Sequence, residues 1–243
     1  MFALFKKELS VFFNSIIGYI VILVFLIVNS LFMWVFPGEF NILDSGYANI
    51  DTLFIIAPWV FLFLVPAVSM RLFADEKKSG TIELLMTRPI SDIKVVFSKY
   101  LAGLSLVLFS LLPSLVYFFS VYMLGSPVGN IDTGRTWGSF IGLFFLASVY
   151  VSIGVFASSL TQNQIIAFIL AMLISFIFYI GFDSVSAFFS SNAMEGILLN
   201  FGINEHYRSM SRGVIDLRDL AYFVSVVAVF IFATKMVLES RKW

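Results

Sequence analysis

The sequence is dominated by long apolar runs that alternate with short polar segments. Each run is long enough to cross roughly 30 Å of hydrocarbon as a helix that rises about 1.5 Å per residue. This pattern predicts an all-α, polytopic membrane protein with six transmembrane helices. The predicted spans are residues 15–36, 53–72, 100–124, 138–160, 164–182 and 220–238.

Composition supports this prediction. The chain has 243 residues, of which 60% are hydrophobic and only 12% are charged, whereas soluble domains carry about 25% charged residues. The sequence contains no cysteine and one histidine, His206. A thiolate metal site is therefore excluded, and a lone histidine does not build a zinc site. We expect the chain to bind no cofactor and no metal of its own.

The polar segment between the second and third predicted spans, residues 71–99, holds six of the fifteen lysines and arginines. It contains a predicted short helix that starts at Ser79–Gly80, carries Glu83 near the positive end of its dipole and stops before Pro89. Apolar residues at i, i+3 and i+4 share one face of a helix; here they are Ile82, Leu85 and Met86. Such a face docks on lipid or on a partner protein. The alternative is a solvated loop that only sets the topology.

Residues 1–14 also have the pattern of an amphipathic helix. The predicted apolar face carries Phe2, Phe5, Leu9, Phe12 and Phe13, and Lys6, Lys7 and Glu8 lie off that face. We expect this helix to lie along the membrane surface with its lysines toward lipid headgroups. A cleaved signal peptide is the competing interpretation, which the long apolar run that follows disfavours.

The distribution of positive charge predicts the orientation. With both termini in the cytoplasm, the inside segments hold eleven lysines and arginines and the outside segments hold four. The positive-inside rule therefore favours cytoplasmic N and C termini.

Small residues and turn signals predict further details. Gly138 and Gly142 have the GxxxG spacing of closely packed helices, within one subunit or at a dimer interface. Thr161–Asn163 predicts a tight turn, and residues 183–218 predict short helices on or in the far membrane face.

Several kinds of chemistry are absent from the sequence. There is no GxxxxGK[ST] phosphate-binding loop, no HExxH motif and no GxSxG motif. No charged residue lies firmly within a predicted span, where ion-coupled transporters usually keep one. A transporter with neither a phosphate-binding loop nor a charged residue within its spans needs an external motor. A membrane scaffold or an insertase would also lack both of these features. A membrane-embedded enzyme is disfavoured, because only scattered Ser, Thr and Asn residues fall within the spans.

One segment resembles a known family. Residues 76–90, EKKSGTIELLMTRPI, are similar to the S-G-T-x-E-L-L segment of ABC-2 type transporter permeases. Three other stretches agree with this resemblance: residues 5–9 (FKKEL), residues 157–161 (ASSLT) and residues 213–219 (GVIDLRD).

The resemblance implies one permease domain over residues 1–243 in a bacterial inner membrane. It implies a separate ABC ATPase that carries ATP and Mg²⁺, a second permease subunit of the same or another chain, contact with the lipid bilayer and no nucleic acid. ATP-driven closure of the motor would then move the spans. Two segments would lie against the ATPase: the N-terminal helix (Phe5, Lys6, Lys7, Glu8) and the coupling segment (Glu76, Ser79, Gly80, Thr81, Ile82, Glu83, Leu85, Met86, Arg88, Pro89).

Within the family, the chain is most similar to permease subunits associated with gliding motility, which implies an exporter. Permeases of copper-enzyme maturation share the same sequence features. A membrane scaffold without transport remains the alternative from a different class.

Overall fold

The structure is a computed structural model that describes residues 1–87, 90–189, 192–213 and 215–240. Over these ranges the chain is 82% helix and has no strand. The helices are α1 (Phe2–Phe13), α2 (Ile16–Ser30), α3 (Ile42–Ser45), α4 (Asp51–Ser69), α5 (Arg71–Lys78), α6 (Thr81–Met86), α7 (Asp92–Leu124), α8 (Thr133–Leu160), α9 (Gln164–Phe176), α10 (Phe182–Ser186), α11 (Asn192–Leu199), α12 (Ile203–Met210) and α13 (Leu217–Glu239). Both α2 and α9 continue into a π-helical turn, Leu31–Val35 and Ile177–Gly181.

The predicted all-α membrane architecture is confirmed. Among the described residues, six helical runs are long and apolar enough to cross a membrane: Ile16–Val35, Asp51–Lys78, Asp92–Leu124, Thr133–Leu160, Gln164–Ser186 and Leu217–Glu239. Five of them contain the corresponding predicted span, and the first is one residue shorter at each end. That the chain forms a single domain stays a prediction.

The spans alternate in direction, so the bundle has two distinct ends. At one end α1, α5 and α6 meet the start of α7 and the C-terminal end of α8; we call this the charged end. At the other, the distal end, Arg135 at the start of α8 pairs with Asp51 at the start of α4, with 2.8 Å between the guanidinium and the carboxylate. Which end faces the cytoplasm stays a prediction from the charge count.

Helix α8 is the central element of the bundle. Its most apolar stretch is 78% buried, whereas the corresponding stretches of the other spans are 22–56% buried. Small residues allow this burial, because they let neighbouring backbones approach α8 closely. A Cβ added to Gly138 would lie 2.9 Å from the Gly213 Cα, and one added to Gly142 would lie 3.0 Å from the Met210 Cβ. The GxxxG pair therefore serves packing within the chain.

The segment after the fifth span forms short helices, as the sequence predicts. Helix α12 packs against α8 and under the start of α4, where the buried Tyr207 hydroxyl donates to the Phe54 carbonyl at 2.7 Å. Burial raises the pKa of Tyr207 well above its ordinary value, so the phenol stays neutral and remains a donor. The predicted turn at Thr161–Asn163 is also present, with the Asn163 side chain accepting from the Ile165 N–H at 2.9 Å.

The contact between Gly154 on α8 and Ser69 on α4 leaves no room for a side chain. A Cβ added to Gly154 would lie 2.6 Å from the Ser69 Cβ. We expect Gly154→Ala to destabilise the protein by about 1–3 kcal/mol, which would lower its unfolding temperature in detergent. Ser69→Gly in the same chain should restore most of the loss.

Gly134→Ala is the matched control. Gly134 lies in the first turn of the same helix, and the nearest atom to an added Cβ there is 3.5 Å away. Since alanine has the higher helix propensity, this variant should be as stable as the wild type or slightly more so. An equal loss in both glycine variants would contradict the close-packing account.

Candidate functional site

The predicted short helix forms, as α6, after a sharp reversal of the chain at the end of α5. Gly80 has φ +71°, a conformation that glycine adopts without steric cost. The Ser79 hydroxyl donates to the Asp75 carbonyl at 2.8 Å and lies 2.9 Å from the Thr81 hydroxyl. These bonds end α5 and fix where α6 begins, so Ser79, Gly80 and Thr81 shape the turn.

The face that α6 presents differs from the prediction. Ile82 is buried in the chain's own core and Leu85 is half-buried against it, so neither is free to fill a groove on a partner. Helix α6 folds back onto α5, and Ile82 and Leu85 pack with the core rather than facing outward. Glu83 is exposed, and the neighbouring Leu84 is 70% exposed. The Met86 side chain, Arg88 and Pro89 lie outside the described residues.

Helix α5 is fixed to the C-terminal end of α8. The Ser158 hydroxyl accepts from the Phe73 and Ala74 N–H groups at 2.9 and 3.0 Å, and it donates to the Met70 carbonyl at 2.8 Å. It thereby satisfies backbone groups at the junction between α4 and α5. The buried Lys77 ammonium also donates to the Ser159 carbonyl.

A second contact extends this attachment to α9. The Gln164 side-chain amide, in the first turn of α9, donates to the Asp75 carboxylate. Helix α5 is therefore held by the whole α8–α9 turn. The turn is predictable from the sequence, whereas the roles of Ser158 and Ser159 are not.

The most unusual feature of the charged end is a lysine enclosed by carboxylates. The Lys99 ammonium lies 3.0 Å from a Glu8 oxygen and 3.0 Å from a Glu76 oxygen, and it donates to the Leu72 carbonyl at 2.6 Å. Lys7 completes the group, 3.0 Å from Glu76 and 3.2 Å from Glu8. We call Lys7, Glu8, Glu76 and Lys99 the Lys99 cluster.

The Lys99 cluster is buried on one side and open on the other. The Lys99 side chain is 1% exposed, and that of Lys7 is 55% exposed. Burial lowers the pKa of Lys7, but its hydrogen bond to Glu76 and the charges of Glu8 and Glu76 outweigh that effect, so its pKa is raised overall. The stabilisation from Lys7 is therefore fully present at neutral pH. It is lost only as the pH rises through that raised pKa.

The structure places two glutamates of the predicted site segments in this cluster. Glu8 was expected off the apolar face of an interfacial helix, yet α1 packs across α7 through a buried row of Leu4, Glu8 and Phe12. Glu76, in the segment expected to lie against the ATPase, pairs with Lys99 and Lys7 inside the chain.

The rest of the N-terminal helix is closer to the prediction. Lys6 is exposed and Phe5 is half-buried.

Sequence reasoning did not find Lys99 as a site residue. The available signal was its position. Lys99 stands at the start of a long apolar run, and its own helix has no acidic residue three or four positions away to pair with it.

Beside α6 the surface forms an open depression of 540 Å³. Its lining consists of polar residues from the end of α5 and the start of α6: Asp75, Glu76, Lys78, Ser79 and Thr81. A depression with charges of both signs is suited to receive polar side chains from another protein. With Glu83 and Leu84 next to it, it completes a candidate docking surface.

Comparison with known proteins agrees with the architecture. A family model described as ABC-2 family transporter protein matches residues 3–209, which covers the charged end and the first five spans. A search of curated proteins found no match.

Removal of the Lys99 charge should strongly destabilise the protein. Lys99→Met leaves two carboxylates with only the half-exposed Lys7 as a counter-ion, and breaking a buried pair in this way costs about 3–5 kcal/mol. Glu8→Gln combined with Lys99→Met keeps Glu76 paired with Lys7 and restores neutrality, so it should recover much of the loss. The measurement is the unfolding temperature of purified protein in detergent.

Lys94→Met provides the control for this comparison, since Lys94 is an exposed lysine on the same helix. It should leave the unfolding temperature nearly unchanged. A Lys99→Met protein as stable as Lys94→Met would show that the buried ion pairs contribute little.

Proposed function

The chain belongs to the ABC-2 transporter family, and on that basis we propose that it is the permease subunit of a transporter driven by a separate ATPase. Its family and its six apolar helices make it a multi-pass membrane component. We propose further that the ATPase docks at the charged end, on the surface formed by α6 and the depression beside it. ATP and Mg²⁺ would then be bound by the ATPase subunit.

The observation that carries this proposal is the combination of an exposed docking surface with a rigid attachment to the spans. Leu84 and Glu83 project from α6, which follows directly from α5 through the Gly80 turn. Helix α5 is in turn bonded to α8 through Ser158 and to α7 through Lys99. Movement imposed on α6 would therefore be passed to the membrane helices.

The finer proposal is that the transporter is an exporter linked to gliding motility and contains a second permease subunit. It rests on the sequence resemblance of residues 76–90 and the three supporting stretches. Deletion of the gene in its native host should then abolish surface movement while growth continues. Unchanged movement together with defective copper-enzyme maturation would favour the alternative subfamily.

The docking surface can be tested with two substitutions on α6. Leu84→Asp replaces an exposed apolar contact with a charge, and Glu83→Lys reverses a charge in the first turn, where an acidic residue complements the helix dipole. Each should reduce the amount of ATPase recovered with the permease from detergent-solubilised membranes by about tenfold, the effect of losing an interface residue worth about 1.4 kcal/mol. Permease abundance should not change.

Leu43→Asp is a closely matched control. Leu43 lies on the short helix α3 at the distal end and is 68% exposed, so the same substitution is made on a similar surface at the opposite end. Wild-type recovery of the ATPase with Leu84→Asp and Glu83→Lys would show that α6 is not the docking element.

The purified chain alone should not hydrolyse ATP, because its sequence has no phosphate-binding loop of the GxxxxGK[ST] type. Phosphate release is measured with and without the ATPase subunit that co-purifies from wild-type membranes. Hydrolysis well above background in a preparation that mass spectrometry shows to be free of other proteins would contradict this expectation.

A further inference from the structure

A second and larger open space lies at the distal end, far from the docking surface. It is a cavity of 640 Å³ between α4, α8, α12 and the π-helical end of α9. Its volume is in the range of small-molecule binding sites, about 300–1,000 Å³. Since α4 and α8 both begin here, the cavity lies at the boundary of the apolar part of the bundle.

Positive charge exceeds negative charge on the cavity wall, which carries Asp51, Arg135, Asp183, Arg208 and Arg212. Arg135 is paired with Asp51 at 2.8 Å, and Asp183 accepts a bond from the Asn204 side chain at 2.5 Å. Within the described ranges, Arg208 and Arg212 form no ion pair. Arg208 and Arg212 therefore remain available to an anion, and their two positive charges exceed the single negative charge of Asp183, whose other carboxylate oxygen is buried without a hydrogen-bond partner.

The two arginines line the same cavity. Arg208 lies in the last turn of α12, Arg212 follows in the turn after the helix ends at Met210, and both are exposed. An anion in the cavity would be attracted by both positive charges. The planar guanidinium group bonds two phosphate oxygens at once, which makes phosphate a well-matched anion.

One part of the cavity wall is apolar and lies deeper in the bundle. Ile55 and Trp59 are one helical turn apart on α4 and are 50% and 42% exposed. The Trp59 ring meets the Tyr179 ring edge to face, with 5.7 Å between the centroids. Since α4 runs inward from the distal end, this wall continues from the arginines toward the middle of the membrane.

We propose that the cavity binds a phosphate-bearing amphiphile, with its phosphate on Arg208 and Arg212 and its hydrocarbon along Ile55 and Trp59. A free phosphate ion would use only the arginines, whereas a lipid-type ligand uses both walls. Because the cavity has both a charged wall and an apolar wall, it favours an amphiphile over a free phosphate ion as the source of the phosphate. This proposal goes beyond the coupling to an ATPase and does not depend on it, because binding is measured on the permease alone.

The test uses the complete chain in a neutral detergent and a short-chain phosphatidic acid with brominated acyl chains. Bromine quenches tryptophan fluorescence at short range, so binding should produce saturable quenching that Trp59→Phe largely removes. Diacylglycerol with the same brominated chains should bind at least about tenfold more weakly, the loss expected from one charge-assisted bond of about 1.5 kcal/mol. Inorganic phosphate should likewise displace the probe only at concentrations at least tenfold higher than the unlabelled short-chain phosphatidic acid requires.

Two variants then locate the phosphate. Arg208→Gln combined with Arg212→Gln should weaken binding of the phosphatidic acid by at least about tenfold. Arg218→Gln, at an exposed arginine near the same end and outside the cavity lining, should leave binding unchanged. Equal losses in both would overturn the proposal, because they would indicate attraction to general surface charge.

The comparison of ligands on the unaltered protein decides the question even if the double variant fails to fold. Diacylglycerol binding as tight as that of phosphatidic acid would overturn the role of the arginines. Inorganic phosphate as potent as the amphiphile would overturn the role of the apolar wall.

Discussion

The charged end of the bundle depends on one buried ammonium group held between two carboxylates. Glu8, Glu76 and Lys99 come from three helices that are far apart in the sequence, α1, α5 and α7. A charge buried without its partner costs several kcal/mol, so none of these helices can shift away from the others without a large penalty. The ion pairs therefore hold the N-terminal helix and the segment after the second span as one unit against the third span.

This unit explains how a surface helix can act on membrane helices. Helix α5 is fixed on one side by the Lys99 cluster and on the other by Ser158 and Gln164. Helix α6 continues from it through a turn that Gly80 defines, so Leu84 occupies a fixed position relative to the spans. Ile82 of α6 is itself buried in the core. The docking surface is accordingly smaller and more polar than a free amphipathic helix would present.

The sequence predicts the spans well because each span sums an apolar signal over about twenty residues. It also locates the short helix, since Gly80 and Pro89 are strong local signals. The exposed face of α6 is not predictable in this way, because six residues are too few for periodicity to decide and tertiary packing against the core sets which side is buried. The pairing of Lys99 with Glu8 joins residues 91 positions apart, and no local pattern records it. The distal cavity is not predictable from local patterns either, because its walls come from helices that only the fold brings together.

The most direct test of this account is the distance between α1 and α5, measured by pulsed electron paramagnetic resonance. The sequence has no cysteine, so spin labels can be attached at single cysteines introduced at Lys6 and Lys78, which are both exposed. The account predicts one narrow distance distribution in the otherwise unaltered protein. In the charge-balanced variant that combines Lys7→Met with Glu76→Gln, which removes both ion pairs of α5 and keeps Glu8 paired with Lys99, it predicts a clearly broader one. An equally narrow distribution at the same distance in that variant would contradict the claim that the Lys99 cluster holds the charged end together.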